Sequence, residues 1–255
     1  MWNVEQYQKY ADERARPFFD LAGQIRSEAP RQIVDLGCGP GTLTRTLAER
    51  WPAAQVLGVD SSPEMLTKAT GQSLPGRLVF EQANIATWTA TVPCDVIVSN
   101  AALHWIANHD RQLARLADML APGGVLAVQM PNRFHTASQI AIDETMADPR
   151  WSSSLQGIGL HRESIQPLVW YVDRLHDLGL QVNAWETIYY HVLTGENPVL
   201  EWLKGTGLRP LLDRLSPELS REFERAVGQR LQAAYPVRKG ITVFPMPRVF
   251  FVATR

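Results

Sequence analysis

The chain has 255 residues, 45% of them hydrophobic, and a formal net charge of -1. Such a length and apolar content suit one sizeable α/β domain, and the near-zero charge offers no general electrostatic footprint for nucleic acid. No stretch of about 18 apolar residues predicts a membrane span, no apolar leader follows the charged N-terminus, and the two cysteines, Cys38 and Cys94, lack metal-ligand spacing, so a reduced cytoplasmic protein without a metal is expected.

Residues 1–29 are expected to form lid helices and carry Arg14 and Arg16. The first strand, Ile33-Val34-Asp35-Leu36, runs into Gly37-Cys38-Gly39-Pro40-Gly41 and a helix beginning near Thr42. Glycines at alternate positions let a ligand press against backbone, and the helix that follows offers unpaired N–H groups and the positive end of its dipole. The spacing is G-x-G-x-G, with no Gly-Lys-Ser/Thr, so neither the dinucleotide fingerprint nor a phosphate loop fits. Asp35 just before the turn would repel a pyrophosphate but favours a cationic sulfonium and an ammonium group. These features point to S-adenosylmethionine.

The second strand, Gln55 to Val59, ends at Asp60-Ser61-Ser62-Pro63. An ionised Asp60 there can accept from both ribose hydroxyls, with Ser61 beside it; its competing role is to cap the helix starting near Pro63, which Ser61 or Ser62 can also do. A third strand, Arg77 to Gln82, leads to Asn84-Ile85, and a fourth, Asp95 to Ser99, to Asn100-Ala101-Ala102-Leu103-His104-Trp105. Both ends fall on the edge where open α/β sheets bind ligands. A helix from about Asp110 to Leu120, stopped by Pro122-Gly123-Gly124, precedes an apolar fifth strand, Val125 to Met130.

Residues 30–131 resemble the cofactor-binding core of class I, Rossmann-like S-adenosylmethionine-dependent methyltransferases. The resemblance implies that Gly37, Gly39 and Gly41 line the methionine part, that Asp60 holds the ribose, and that Asn84 and Ile85 flank the adenine; Asp35, Ser61 and Asn100 complete the expected cofactor set. Many relatives have Asp where Asn84 stands, and an amide oxygen accepts from the adenine amino group without the charge.

Beyond the core, residues 132–159 contain Pro149 and a Ser152-Ser153-Ser154 cluster and are expected to form a partly mobile insertion. A helix from about Arg162 to Leu178 ends at Gly179, and Leu180 to Leu193 is predicted as strand six, closing a segment 132–195. Residues 196–240 have helical periodicity and are expected to cap the site before a last strand within 241–255. The whole is a seven-stranded, mostly parallel Rossmann-like sheet with helices on both faces and a helical cap, organised as a single domain.

A narrower resemblance covers nearly the whole chain. Trp2-Asn3 through Tyr7, Tyr10-Ala11-Asp12-Glu13-Arg14-Ala15-Arg16-Pro17, Asn100 to Trp105, Leu126 to Pro131, Tyr189-Tyr190-His191, Thr206 to Leu211 and Pro247 to Ala253 are similar to segments of the trans-aconitate 2-methyltransferase subfamily. This implies transfer of a methyl group to one carboxylate of trans-aconitate in the bacterial cytoplasm, with S-adenosylhomocysteine as the other product and no protein partner. A carboxylate is already ionised at neutral pH, so no general base is required, and His104 is cast as a positioning donor or as a holder of its loop. The alternative is methylation of a neutral quinone-like or aromatic carbon or hydroxyl, with His104 as base. A polycarboxylate calls for arginines, whose forks bind carboxylates bidentately. Of the 25 basic residues only four are lysines. Arg209 and Arg16 lead the candidates, followed by Arg133 and Arg248. Tyr189 and Tyr190 alternate on a strand, so one at most faces the pocket, and Trp105 is a candidate wall.

Overall fold

The computed structural model describes residues 11–132, 135–158 and 165–255, with side chains from residue 15 onward. The described residues divide into two compact units. One contains Ala15–Pro131, Glu163–Thr187 and Arg248–Arg255; the other is built mainly from Asn132–Arg162 and Ile188–Pro247.

A seven-stranded sheet has the order β3-β2-β1-β4-β5-β7-β6. Its strands are β1 (Gln32–Leu36), β2 (Gln55–Asp60), β3 (Leu78–Gln82), β4 (Cys94–Asn100), β5 (Leu120–Pro131), β6 (Gln181–Leu193) and β7 (Thr242–Thr254). β1 to β5 pair in parallel, and β7 runs antiparallel to β5. The mostly parallel Rossmann-like architecture agrees with the sequence expectation. The order reverses between β1 and β4, which makes the carboxyl ends of those two strands the topological switch point.

Registers sort the sheet into two faces. Asp35 pairs with Gly58 and Val98, Gly58 with Phe80, Val98 with Ala127, and Ala127 with Val252, so these residues form one row on one face. The opposite face carries Val34, Leu36, Val59, Ile97, Leu126, Val128, Met130, Val249 and Phe251, all buried. It packs on α4 (His109–Asp118) through Leu113 and Leu116, and on α7 (Leu168–Asp177) through Tyr171 and Leu175. Tyr171 stacks on Phe251 at 5.2 Å and bonds His109 Nδ1 at 2.6 Å, while His109 Nε2 reaches the Leu103 carbonyl at 2.9 Å. The core thereby holds the loop that follows β4.

On the N-terminal side, α1 (Ala11–Ala22) buries Phe18 and Leu21. Its last carbonyl and the turn that follows are tied down by Arg50, at the end of α2 (Thr42–Arg50), which donates to Ala22 O and Ile25 O at 2.5 and 3.0 Å.

Three boundaries differ from expectation. α4 stops at Asp118 and β5 already begins at Leu120, so Pro122-Gly123-Gly124 lies inside the strand and does not end the helix. The cause is a bulge. The β4–β5 register shifts between Cys94 and Val96, and a Cβ on Gly124 would fall 2.8 Å from the carbonyl oxygens of Ala121 and Cys94. The helix expected from Arg162 begins at Leu168 with Pro167 as its N-cap, because the residue before a proline is pushed out of the helical region; Arg162 itself lies outside the described residues.

The third difference concerns the segment expected to be a partly mobile insertion. It forms α5 (Ala137–Met146), capped by Thr136, and α6 (Pro149–Leu155), capped by Asp148. Ile142 and Trp151 anchor both in the core of the second unit, together with Trp202, Phe223, Val227 and Phe244. That unit also contains α8 (Pro198–Lys204), α9 (Arg209–Leu212) and α10 (Pro217–Ala234), with α10 packed on α5 and α8. Large buried side chains outweigh the local turn signals that the serines and Pro149 suggest.

Candidate active site

The turn after β1 is built from three left-handed glycines, with φ of 83° at Gly37, 55° at Gly39 and 77° at Gly41. Each has a different physical reason. A Cβ on Gly37 would lie 2.2 Å from the Cβ of Ala102, and one on Gly41 would lie 2.6 Å from Phe80 Cζ, so both admit a neighbouring element. A Cβ on Gly39 would meet nothing within 4 Å. Gly39 is therefore the glycine at which the backbone stands open to a ligand, the role of the second glycine in nucleotide-binding turns.

Side chains and backbone of β2 fix this turn. Gly37 and Cys38 donate to Val59 O at 2.8 and 3.1 Å, and Gly39 N–H donates to Asp60 Oδ2 at 2.9 Å. Asp60 Oδ1 accepts Ser62 N–H at 2.9 Å, while the Ser62 hydroxyl caps α3 (Pro63–Ala69) by accepting from Met65 N. The capping role is thus taken by Ser62, and Asp60 ties the glycine turn to β2. A carboxylate offers about four lone-pair sites, so two are left for ligand hydroxyls. Ser61 is exposed beside it.

Asp35 lies beneath the turn, 3% exposed, accepting the Thr44 hydroxyl at 2.6 Å. Burial pushes its carboxyl up to about 6, Thr44 opposes this, and the Asp60 charge adds to it. A cation arriving here would favour the ionised form. The loop after β3, expected on the adenine side, is held from below. Asn84 Oδ1 accepts from Ala86 N at 2.9 Å in an Asx turn, which takes one of the two acceptor sites of the oxygen expected to meet the adenine amino group. Ile85 Cδ1 comes within 3.9 Å of where a Cβ on Gly37 would sit. Arg115 and Gln112 of α4 clamp the loop: Arg115 donates to Ile85 O at 2.7 Å and also to Trp88 O, and Gln112 donates to Ala86 O at 3.3 Å. Sequence reasoning missed this pair, since nothing local marks one arginine of a polar helix as a loop clamp.

After β4 the chain enters a strained turn. Ala101 adopts φ 53° and donates to Gln129 O at 2.9 Å, and Ala102 presses on Gly37. Non-glycine residues in this region cost about 1–3 kcal/mol and persist where their surroundings over-determine them. His104 follows, buried at 9% exposure, its ring 4.7 Å from that of half-buried Trp105. Asn100, at the carboxyl end of β4, has a buried Oδ1 without a hydrogen-bond partner among the described residues.

The expected substrate set is divided. Arg248 is 7% exposed on β7, in the same unit as Asn100 and His104. Arg16, exposed on α1, has Asp20 at 3.9 Å. Arg209, Tyr189 and Tyr190 belong to the second unit, where Arg209 pairs with Asp213 at 3.0 Å. Tyr189 is 4% exposed and Tyr190 65%, as alternation on a strand requires. Arg133 lies outside the described residues.

Residues 33–124, spanning β1 to the bulge of β5, match a family model described as a methyltransferase domain. A solved S-adenosylmethionine-dependent methyltransferase from Mesorhizobium loti has the same fold, with a TM-score of 0.54 at 18% identity over 95% of this chain and 98% of that one. Similarity at the level of whole sequences is much closer. A trans-aconitate 2-methyltransferase of Streptomyces avermitilis is 45% identical across 99% of this chain and 96% of its own length, and one of Mycolicibacterium gilvum is 44% identical across 99% and 98%. Near-complete coverage in both directions extends the likeness beyond the cofactor core to the second unit, and the chain belongs to the trans-aconitate 2-methyltransferase family of S-adenosylmethionine-dependent enzymes.

Proposed function

We propose that this protein transfers the methyl group of S-adenosylmethionine to one ionised carboxylate of trans-aconitate, giving a monomethyl ester and S-adenosylhomocysteine. The observation that carries the reading is the end-to-end similarity to proteins named for that reaction. In balance, a carboxylate oxygen forms a bond to the methyl carbon while the sulfur–methyl bond breaks and sulfur keeps the electron pair. No proton moves.

The bound cofactor supplies an electrophilic methyl group on a cationic sulfur. The residues present fit such a ligand, with open space at Gly39, spare acceptor capacity on Asp60 and a carboxyl at Asp35. In this reading Asp60 accepts the ribose hydroxyls, Gly37, Gly39 and Gly41 let the methionine portion lie against backbone, and Asn84 and Ile85 flank the adenine. Orientation is then the main catalytic resource, because aligning two reactants can lower a barrier by roughly 7–11 kcal/mol. His104 and Trp105 line the transfer region, His104 as a positioning donor. Among the arginines, Arg248 has the strongest support, since a guanidinium that stays charged when buried suits a non-reacting carboxylate.

Both cysteines are free and buried, so neither forms a disulfide that would demand an oxidising compartment. Among the described residues no helix is long and apolar enough to cross a membrane. A cytoplasmic location fits both observations.

Incubation with methyl-labelled cofactor and trans-aconitate is expected to yield a labelled ester; absence of transfer to any polycarboxylate would overturn the reading. A His104→Ala variant should lose less than about 100-fold in kcat, whereas a general base would cost about 10²–10⁴-fold.

A further inference from the structure

We propose that Gln129 is an acceptor-binding residue, donating its amide N–H to a non-reacting carboxylate of the substrate beside Arg248. The proposal rests on the carboxylate-acceptor reading above. Gln129 interrupts the buried apolar run of β5 and is 0% exposed, yet neither Oε1 nor Nε2 has a hydrogen-bond partner among the described residues. Most buried side-chain polar atoms are paired, so an amide buried with neither end bonded leaves unmet donor and acceptor sites that a partner must fill.

Registers say where that amide faces. Gln129 pairs with Asn100 of β4 and with Phe250 of β7, and Pro131 pairs with Arg248. Residues paired across a ladder, and residues two apart on a strand, share a face, so Asn100, Gln129 and Arg248 rise from the same side of the sheet. They do so at the carboxyl ends of β4 and β5, the edge where such folds bind ligands, and on the face that carries Asp35. Asn100 Oδ1 is likewise buried and unpartnered among the described residues. Phe250, stacked on Trp185 at 4.9 Å and 8°, forms an apolar wall on the far side.

The chemistry of this cluster is that of a carboxylate site. Arg248 contributes permanent charge and a fork of donors, and Gln129 adds a neutral donor that orients the oxygens without a second full charge. A weaker clamp suits a multiply charged acceptor whose remaining carboxylate must stay nucleophilic.

The test compares wild type with Gln129→Met, which keeps the side-chain volume and removes both polar atoms. Thermal unfolding, calorimetric affinity for S-adenosylhomocysteine, calorimetric affinity of the S-adenosylhomocysteine-loaded protein for trans-aconitate, and KM are measured together. The expected result is unfolding at the wild-type temperature or above, S-adenosylhomocysteine affinity within about twofold, and acceptor affinity weakened roughly 10- to 100-fold, the loss of one bond to a charged group. Lowered stability with unchanged acceptor affinity would overturn the proposal and assign the amide a structural role. Should the methionine variant fail to fold, Gln129→Glu keeps the shape and replaces the donor with a negative charge, and is expected to lose acceptor binding more completely; retained binding overturns the proposal. If wild type binds trans-aconitate through Gln129 but transfers no label to it, the methyl-transfer reading falls and the site stands. If wild type binds no polycarboxylate at all, both fall.

Discussion

The edge over β1 and β2 and the edge over β4, β5 and β7 belong to one sheet but are made differently. Over β1 and β2 the proposed cofactor surface is backbone: glycines in a left-handed turn, an open approach at Gly39, and one carboxylate, Asp60, reaching back only 21 residues to hold that turn. Over β4, β5 and β7 the proposed acceptor surface is side chains, Asn100, Gln129 and Arg248, brought together from distant parts of the chain by ladder register. A local backbone device recognises a part common to all uses of a cofactor, whereas a register-built cluster can be changed one side chain at a time. That division suits a fold in which one ligand is constant and the other varies.

The sharpest way to break the comparison is at the glycines. Gly37→Ala drives a Cβ to 2.2 Å from Ala102 and is expected to abolish cofactor binding together with much of the stability. Gly39→Ala meets no atom within 4 Å, so its stability loss should be only the strain of a left-handed residue, about 1–2 kcal/mol, while affinity for S-adenosylhomocysteine falls on the order of 100-fold. A Gly39→Ala protein that binds like wild type would place the ligand elsewhere. Calorimetry and thermal melts separate the two.

Asp60→Asn comes next. The amide oxygen still accepts one backbone N–H but loses the charge and one acceptor, so cofactor affinity should drop roughly 10- to 100-fold with acceptor affinity for the loaded enzyme unchanged. Equal losses for both ligands would dissolve the division between the two edges.

The smallest effect is expected at Asp35, whose carboxyl is raised from 3.8 to about 6 chiefly by burial. The folded state then holds its proton more tightly than the unfolded chain, so this contribution to stability is complete below pH 3.8 and is lost as pH rises through about 6. Above that the buried charge costs up to about 3 kcal/mol. Asp35→Asn should therefore melt higher than wild type near neutral pH, with the advantage shrinking as pH falls. In the wild type, binding of a cationic ligand should release a proton between about pH 5 and pH 6, visible as a buffer-dependent binding enthalpy.

Much of this site was legible before any tertiary structure. Gly37, Gly39, Gly41 and Asp60 announce themselves because a strand, a glycine-rich turn and an acidic residue one strand later form a local pattern with a physical reason at each position. The parallel core followed from apolar strands alternating with helices. What misled were punctuation signals. Pro122-Gly123-Gly124 has the composition of a helix stop but lies in a bulge, since the partner strand β4 and the C-terminal Arg255, which bonds Gly123 and Gly124, decide its geometry. The Ser152-Ser153-Ser154 cluster has the composition of a loop, yet Trp151 and Leu155 bury one side of a helix there.

Ranking arginines by their neighbours in the chain put Arg209 and Arg16 first, and both have acidic partners one helical turn away, whereas Arg248 is the buried one. Gln129 left a readable trace, a polar residue inside a strand buried on both faces, but that trace says only that a partner is needed. The sequence alone determined the fold class, the glycine turn and the class of cofactor, because those depend on contacts between residues close in the chain or on the period of a strand. Only the tertiary structure decided that Ser62 caps while Asp60 braces the turn, that Arg115 clamps the loop after β3, and that Asn100, Gln129 and Arg248 share a face. Register across β4, β5 and β7 sets which side chains become neighbours, and register is a property of the assembled sheet.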